Sequence, residues 1–146
     1  MAERQRTTEQ TESRTLYRAA DSDYIDTGTS CAETLEAAEC YLANPGFGGA
    51  GLWSTTVPSG TYVLDLRGLS VCDAAAQLGC SDPGAIGIDE WLPREPTALT
   101  AIRAMGAMWA LVSESYPGGT TWIYCGDADD YCAGREPELT PIDEVA

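Results

Sequence analysis

The chain contains two kinds of apolar spacing, and together they predict both strands and helices. Short segments rich in β-branched and aromatic residues, bounded by glycine, proline or aspartate, are typical of strands. Other segments place apolar residues three and four positions apart, which is typical of helices packed on a core. The predicted strands cover about residues 15–20, 52–57, 61–66 and 120–125, with a last extended piece within 136–145. The predicted helices cover about residues 30–42, 71–78 and 97–112.

Local signals place the ends of several of these elements. Ser30 and Glu33 have the spacing of a capping box, which predicts that the first helix begins at Ser30. Pro58-Ser59-Gly60 between two strand-like runs predicts a β-hairpin. The helix predicted to open at Thr97 would present one apolar face and end before Pro117-Gly118-Gly119. Its face consists of Leu99, Ile102, Met105, Trp109 and Val112.

The order of these elements predicts a mixed α+β domain. Strand, helix, two strands, two helices and two strands do not alternate as a parallel βαβ sheet would. We therefore expect a single domain over residues 15–146, with a mixed or antiparallel split sheet and flanking helices. Residues 1–14 are polar and mixed in charge, and we expect them to be mobile.

Composition limits the classes of partner. The chain has 146 residues, with 23 acidic side chains and 8 basic ones, for a formal net charge of −15. Such a charge repels phosphate backbones and anionic lipid, so direct nucleic-acid and membrane binding are disfavoured. The sequence shows neither an export signal nor a membrane span, and the expected location is cytoplasmic. An extracellular or virion location stays open.

The six cysteines do not have the spacing of a zinc site. The two-to-four-residue knuckle of structural zinc is missing, and the chain contains no histidine. Cys125 and Cys132 flank a turn-rich loop, which favours a disulfide between them. The other cysteines are expected to be buried thiols. No metal site is predicted.

The basic residues restrict the catalytic chemistry. All eight are arginines, so neither a histidine-based triad nor a lysine-containing phosphate loop can form. Chemistry based on carboxylates and guanidinium groups remains. Arg18 lies in the strand-like run Leu16-Tyr17-Arg18-Ala19, where a guanidinium is either an anion ligand or the partner of a surface acid.

Three short motifs occur in an order that resembles the arginine–serine–glutamate branch of the ADP-ribosyltransferase superfamily. The first is Leu16-Tyr17-Arg18-Ala19, the second is Gly28-Thr29-Ser30, and the third is Glu136-Pro137-Glu138. The resemblance extends over nearly the whole domain and implies an ADP-ribosyltransferase-like fold. Two departures stand out, since the first hydroxyl of the serine motif is missing unless Thr27 replaces it, and Pro137 separates the two glutamates.

The resemblance also implies a function and a site. NAD would be the substrate, and its ADP-ribose would be transferred to a protein or other macromolecular acceptor, or NAD would be hydrolysed. Arg18 would hold the diphosphate, and Thr29 and Ser30 would brace the nicotinamide pocket. Glu138 would stabilise an oxocarbenium-like transition state, and Glu136 would position the acceptor.

Two other classes of function remain open on the same residues. Ser30 is also explained as a helix cap, Arg18 as the partner of an aspartate, and Glu136 and Glu138 as surface acids. The chain would then be a non-catalytic interaction or structural module, of viral or mobile-element origin. Alternatively, its negative charge would make it an acidic inhibitor or decoy for a basic site.

Overall fold

The strands of the protein form one mixed sheet with helices on one of its faces. A computed structural model describes residues 7–20, 27–43, 51–81, 84, 87–114, 119–126 and 140–141. The sheet order is β1-β5-β6-β7-β3-β2-β4-β8, and every pairing is antiparallel except that of β5 with β6. The strands are β1 Thr7–Glu9, β2 Arg14–Ala20, β3 Ser30–Ala32, β4 Gly51–Val57, β5 Tyr62–Asp65, β6 Trp109–Glu114, β7 Gly119–Tyr124 and β8 Thr140–Pro141. The helices are α1 Leu35–Ala43, α2 Val71–Gln77, α3 Ile88–Trp91 and α4 Pro96–Ala104, with a 3-10 turn at Leu92–Arg94.

Two long chain segments form one bent antiparallel ladder. Strand β2 pairs with β4, and β1 pairs with β5, and the two residue numbers of each pair have the same sum in both ladders. Hydrogen bonds between Gln10 and the turn carry the ladder across the bend, from Gln10 N to Thr61 O and from Gly60 N to Gln10 O, each 2.7 Å. Residues 7–20 and 51–64 are therefore one continuous ribbon with a bend at its middle.

This bend forces the sheet to curl. Strands β6, β7, β3 and β2 lie between β5 and β4 in the sheet order. In a flat sheet, β4 and β5 would be about 24 Å apart at ordinary strand spacing. The five chain steps from Val57 to Tyr62 span at most about 18 Å, so the two strands must approach each other around the curl.

The curl encloses an aromatic core. Val57 and Val63, from strands distant in the sheet order, belong to the same buried cluster as Trp109, Trp122 and Tyr124. We call the face that carries this cluster the concave face. Trp109 packs edge-on against the other two rings, with centroids 6.3 Å from Trp122 and 5.1 Å from Tyr124. Such pairs add about 0.5–1.5 kcal/mol beyond the burial of their area.

The helices cover the opposite face, which we call the helix-bearing face. Helices α2, α3 and α4 pack against alternate residues of β5, β6 and β7, including Leu64, Ala110 and Ile123. Helix α1 packs on the same face, against Ala32 and Leu52, nearer the opposite edge of the sheet. Each central strand is thus buried on both faces.

The first helix begins later than its sequence pattern predicted. Ser30 is the first residue of β3, and the Oγ1 of Thr34 accepts from the backbone N–H of Ala37 at 3.1 Å. The predicted Ser30–Glu33 capping box is therefore wrong. Pairing of β3 with β2 and β7 satisfies the backbone groups of residues 30–32, so the helix starts only after that strand ends.

The helix predicted over 97–112 is in fact a helix followed by a strand. Helix α4 ends at Ala104, and Gly106 adopts a φ of 91°, which a right-handed helix does not allow. Trp109 and Val112 then lie on opposite faces of β6, and Met105 is exposed. A strand buried on both faces is apolar at every position, and its apolar residues fall at helical spacing as well.

The predicted hairpin between β4 and β5 is also wrong. Both strands exist, but they lie near opposite edges of the sheet instead of pairing with each other.

The predicted mixed α+β class is confirmed. The sheet is one hydrogen-bonded unit and not a split one, because β3 connects β2 to β7. Residues Thr7–Glu9, within the polar segment predicted to be mobile, form β1.

Within the described residues, no helix has the length and apolar character needed to cross a membrane.

Two glycines provide a test of the packing between the sheet and the 3-10 turn. Gly28 has a φ of 94°, and a Cβ there would lie 2.7 Å from the carbonyl oxygen of Pro93. Gly68 has a φ of 84° but nothing within 4 Å of the position of a Cβ. We expect Gly68→Ala to lower the free energy of unfolding by about 1–2 kcal/mol through backbone strain alone. Gly28→Ala should cost about 1–3 kcal/mol more, because the Pro93 carbonyl must also move.

Urea denaturation of the two variants measures this difference. Equal losses of stability would show that the segment before β3 does not pack against the 3-10 turn.

Candidate functional site

Strand β2 places two arginines on the concave face. Side chains alternate along a strand, so Arg14, Leu16 and Arg18 share one face while Tyr17 and Ala19 share the other. Leu16 belongs to the concave cluster, and Tyr17 and Ala19 pack with α1 on the helix-bearing face. Arg18 therefore projects from the middle of the sheet towards the aromatic core and not towards solvent behind it.

Arg18 is held on one side and is unpaired on the other. Its Nη1 donates to the carbonyl oxygen of Ser30 at 2.6 Å. Its Nε is buried and has no hydrogen-bond partner among the described residues. No carboxylate of the described part of the chain forms an ion pair with it, although Glu33 and Asp65 pair with other arginines. The guanidinium thus carries a positive charge into the sheet without an ion-pair partner among the described residues.

The neighbouring thiol does not neutralise Arg18. Cys31 is 2% exposed and lies in β3, next to β2. Burial raises the pKa of the Cys31 thiol to about 12, although the charge of Arg18 acts in the opposite direction. Cys31 is therefore a neutral thiol at pH 7 and cannot serve as the counter-ion of the guanidinium.

Of the predicted site residues, Ser30 contacts Arg18 directly, and Thr29 lies next to Ser30 in the chain. Ser30 contributes its carbonyl oxygen, while strand alternation places its side chain with Ala32 on the helix-bearing face. Thr29 is half-buried and shares the face of Cys31, and its carbonyl accepts from Tyr124 N at 2.8 Å. Of these two residues, Thr29 and not Ser30 is thus on the face of Arg18.

The two predicted glutamates lie outside the described residues. Glu136 and Glu138 precede β8, whose residues Thr140 and Pro141 pair with Ser54 and Trp53 of β4. Trp53 in turn pairs with Arg18. The segment that follows Glu138 therefore joins the sheet with one strand, β4, between it and the strand of Arg18.

A second cluster of charges lies on β2 and its neighbours. The Nη2 of Arg14 lies 3.2 Å from the Oε2 of Glu33, and its guanidinium lies 5.5 Å from the centroid of the Trp122 ring. The indole N–H of Trp122 donates to the same Glu33 oxygen at 2.9 Å. Arg14 is thus paired with both a carboxylate and a ring, in contrast to Arg18.

Arg67, at the end of β5, is also paired. It donates from Nε and Nη2 to the two carboxylate oxygens of Asp65 at 2.9 and 2.7 Å. Hydrogen bonding to Arg67 lowers the pKa of the Asp65 carboxyl, and the same bond raises the pKa of Arg67. Both side chains are largely solvated, so this pair is worth less than about 1 kcal/mol.

Cys125 is a thiol and not half of a disulfide. It is buried, and its Sγ donates to the carbonyl oxygen of Ile123 at 3.4 Å. The predicted Cys125–Cys132 disulfide is therefore wrong. Burial raises the pKa of Cys125 to about 12, against smaller opposing effects of Arg103 and of a backbone hydrogen bond from Ala110.

The sequence pattern pointed to some residues of the site but not to others. The spacing Arg14-x-Leu16-x-Arg18 on a strand already implies that both arginines share a face. Trp53 and Thr55 lie beside Arg18 only through the pairing of β4 with β2. That pairing joins segments more than thirty residues apart and leaves no local signal.

Comparisons with protein-family models, with curated proteins and with solved structures gave no match for this chain. Within the described residues, no group of three or more histidine, cysteine, aspartate or glutamate side chains could hold a metal ion.

The cysteines supply a test of the packing on both faces of the sheet, because Cys31 belongs to the concave cluster and Cys125 to the cluster on the helix-bearing face. Cys72 is exposed, while Cys31 and Cys125 are buried with pKa values raised to about 12. We expect iodoacetamide at pH 8.5 to modify Cys72 in the folded protein and to leave Cys31 and Cys125 unmodified until urea is added, as measured by peptide mass mapping.

The same two thiols make stability depend on pH in the alkaline range. Their folded pKa values lie above the ordinary thiol value of 9.0, so the folded state keeps these protons to higher pH than the unfolded chain does. Their contribution is complete below pH 9 and is lost as the pH rises towards 12.

In the alkylation experiment, rapid modification of Cys31 in the folded protein would contradict the curled arrangement of the sheet.

Proposed function

We propose that the concave face around Arg18 binds the diphosphate of NAD, and that the protein uses NAD for ADP-ribosyl transfer or for its hydrolysis. The observation that carries this proposal is the guanidinium of Arg18, which has no ion-pair partner among the described residues and whose buried Nε has no hydrogen-bond partner among them. A half-buried charge that lacks a protein counter-ion favours a ligand anion.

The chemistry of the guanidinium narrows the class of anion. Nη1 is already used by the Ser30 carbonyl, which fixes the plane of the guanidinium. A planar group with further N–H donors at fixed angles matches the oxygens of a phosphate or diphosphate. Because the interior of the curled sheet is largely apolar, these charge-assisted bonds are stronger here than at the surface.

Aromatic surface beside Arg18 suits the rest of such a ligand. Trp53 is half-buried, faces the same side of the sheet and lies directly opposite Arg18 in the adjacent strand. An indole ring beside a guanidinium offers a stacking surface for a nicotinamide or adenine ring. NAD carries both of these rings, one at each side of its diphosphate.

The remaining roles follow the resemblance described above and are part of the proposal. Thr29 would contact the nicotinamide moiety from the strand next to Arg18. Glu138 would stabilise the positive charge that develops on the nicotinamide ribose as the glycosidic bond breaks. Glu136 would orient the nucleophile of a macromolecular acceptor or a water molecule.

One observation favours a second candidate function, the binding of such an anion without catalysis. Thr27 is the residue that could replace the missing first hydroxyl of the serine motif. Its Oγ1 instead donates to the carbonyl oxygen of Gly126 at 2.5 Å. The motif therefore presents fewer hydroxyl groups than the resemblance requires, and the protein would then be a non-catalytic interaction module.

Substitution of Arg18 tests the binding proposal. Arg18→Lys keeps the charge but removes the planar set of donors, so we expect NAD affinity to fall about tenfold or more in calorimetric titration. Arg94→Lys, at an exposed arginine of the 3-10 turn, is the matched control and should bind NAD as the unmodified protein does.

Release of nicotinamide separates the two candidate functions. Glu138→Gln should abolish nicotinamide release while leaving NAD affinity within about threefold, since its role is electrostatic and specific to the transition state. NAD binding without turnover, with several protein acceptors present, would assign the non-catalytic function. If NAD at millimolar concentration neither binds nor reacts, both candidates are refuted.

A further inference from the structure

Thr55 is a buried hydroxyl residue without a hydrogen-bond partner among the described residues. It lies in the middle of β4 and is 4% exposed, and its Oγ1 is fully enclosed. Two residues further along the strand, on the same face, Val57 belongs to the aromatic cluster. A hydroxyl that is buried in apolar surroundings and forms no hydrogen bond is destabilising, and valine would fill the same volume without that cost.

The register of β2 and β4 places Thr55 diagonally across from Arg18. Thr55 pairs with Leu16, and Trp53 pairs with Arg18, so all four side chains share the concave face. Diagonal neighbours on one face have Cα atoms roughly 7–8 Å apart, which long side chains can bridge. Arg18 Nε and Thr55 Oγ1, two enclosed polar atoms without a hydrogen-bond partner among the described residues, therefore belong to the same small region of this face.

Both atoms can act as donors towards one acceptor. The Nε–H direction of Arg18 is fixed because Nη1 is bound to the Ser30 carbonyl, while a threonine hydroxyl rotates to suit its acceptor. The thiol of Cys31, on the other side of β2, is neutral and brings no competing negative charge to this place.

We propose that Thr55 is a further ligand-binding residue, whose hydroxyl donates, together with Arg18 Nε, to one oxygen of a bound phosphate or diphosphate group. This assignment rests on the proposed function in that it concerns the same anion site. It adds a second strand, β4, to a site otherwise formed by β2 and β3. It also favours a tetrahedral oxyanion. One oxygen would bond to Thr55 and to Arg18 Nε, while another would bond to the Nη2 of Arg18.

Titrations with inorganic pyrophosphate and with NAD test the proposal on three variants. Thr55→Val removes the hydroxyl at constant volume, and we expect the affinity for pyrophosphate to fall at least tenfold, as for other bonds to charged groups. Thr55→Ser keeps the hydroxyl and should stay within about threefold of the unmodified protein. Thr56→Val, at the exposed neighbouring position of β4, should leave affinity unchanged.

The stability of the ligand-free variants provides an independent readout. Because the hydroxyl has no partner among the described residues, Thr55→Val should melt at the same temperature as the unmodified protein or at a higher one. A lower melting temperature that Thr55→Ser restores would mean that the hydroxyl bonds within the protein, and the proposal would be wrong.

The two probes separate this proposal from the proposed function. If NAD binds equally well to the unmodified protein and to Thr55→Val, the role of Thr55 is refuted and the NAD function stands. If pyrophosphate binding depends on Thr55 but NAD neither binds nor reacts, the anion site stands and the NAD function is refuted. If pyrophosphate does not bind to the unmodified protein at all, the anion site itself is refuted.

Discussion

The bent ladder between residues 7–20 and 51–64 is the constraint on which the rest of the structure depends. Because β4 and β5 are two halves of one bent segment, they must join the sheet on opposite sides and still remain close to each other. The sheet can satisfy both conditions only by curling. The curl in turn creates an enclosed concave face, which large aromatic rings fill, and leaves the opposite face for the four helices.

Because that face is enclosed, the hydrogen-bond partners of Arg18 matter for its stability. On an exposed sheet, an arginine at this position would extend into solvent and need no partner. Inside the curl, its Nε is removed from water. Among the described residues, the carbonyl oxygen of Ser30 accepts the hydrogen bond that is given for the guanidinium. Arg14, on the same strand face, has both Glu33 and Trp122. Arg14 has charged and aromatic partners, whereas the Nε of Arg18 has no hydrogen-bond partner among the described residues. This difference supports the proposed anion site.

Sequence alone predicted what depends on local pattern and missed what depends on pairing. Strands near 15–20 and 120–125 and the helix near 71–78 follow from local spacing, and all three exist. The interpretation of Ser30 as a cap failed because β3 pairs with two distant strands, and residues 109–112 were misassigned because a doubly buried strand also shows helical spacing. Arg18 could be selected from its strand, whereas Thr55 comes to lie near it on the same face only through the β2–β4 register.

The net charge of −15 limits the kind of anion that would fit the proposed site. Repulsion from the acidic surface acts on charge outside the fold and is screened beyond about 8 Å at physiological ionic strength. A polyanion such as a nucleic acid brings many phosphates against that surface at once and is therefore repelled. A small ligand with one compact anionic group can place that group inside the curl, where donors at short range act with little screening. In the proposed site, the acidic charge of the chain would therefore disfavour polyanions, while the half-buried guanidinium of Arg18 would bind a single phosphate group.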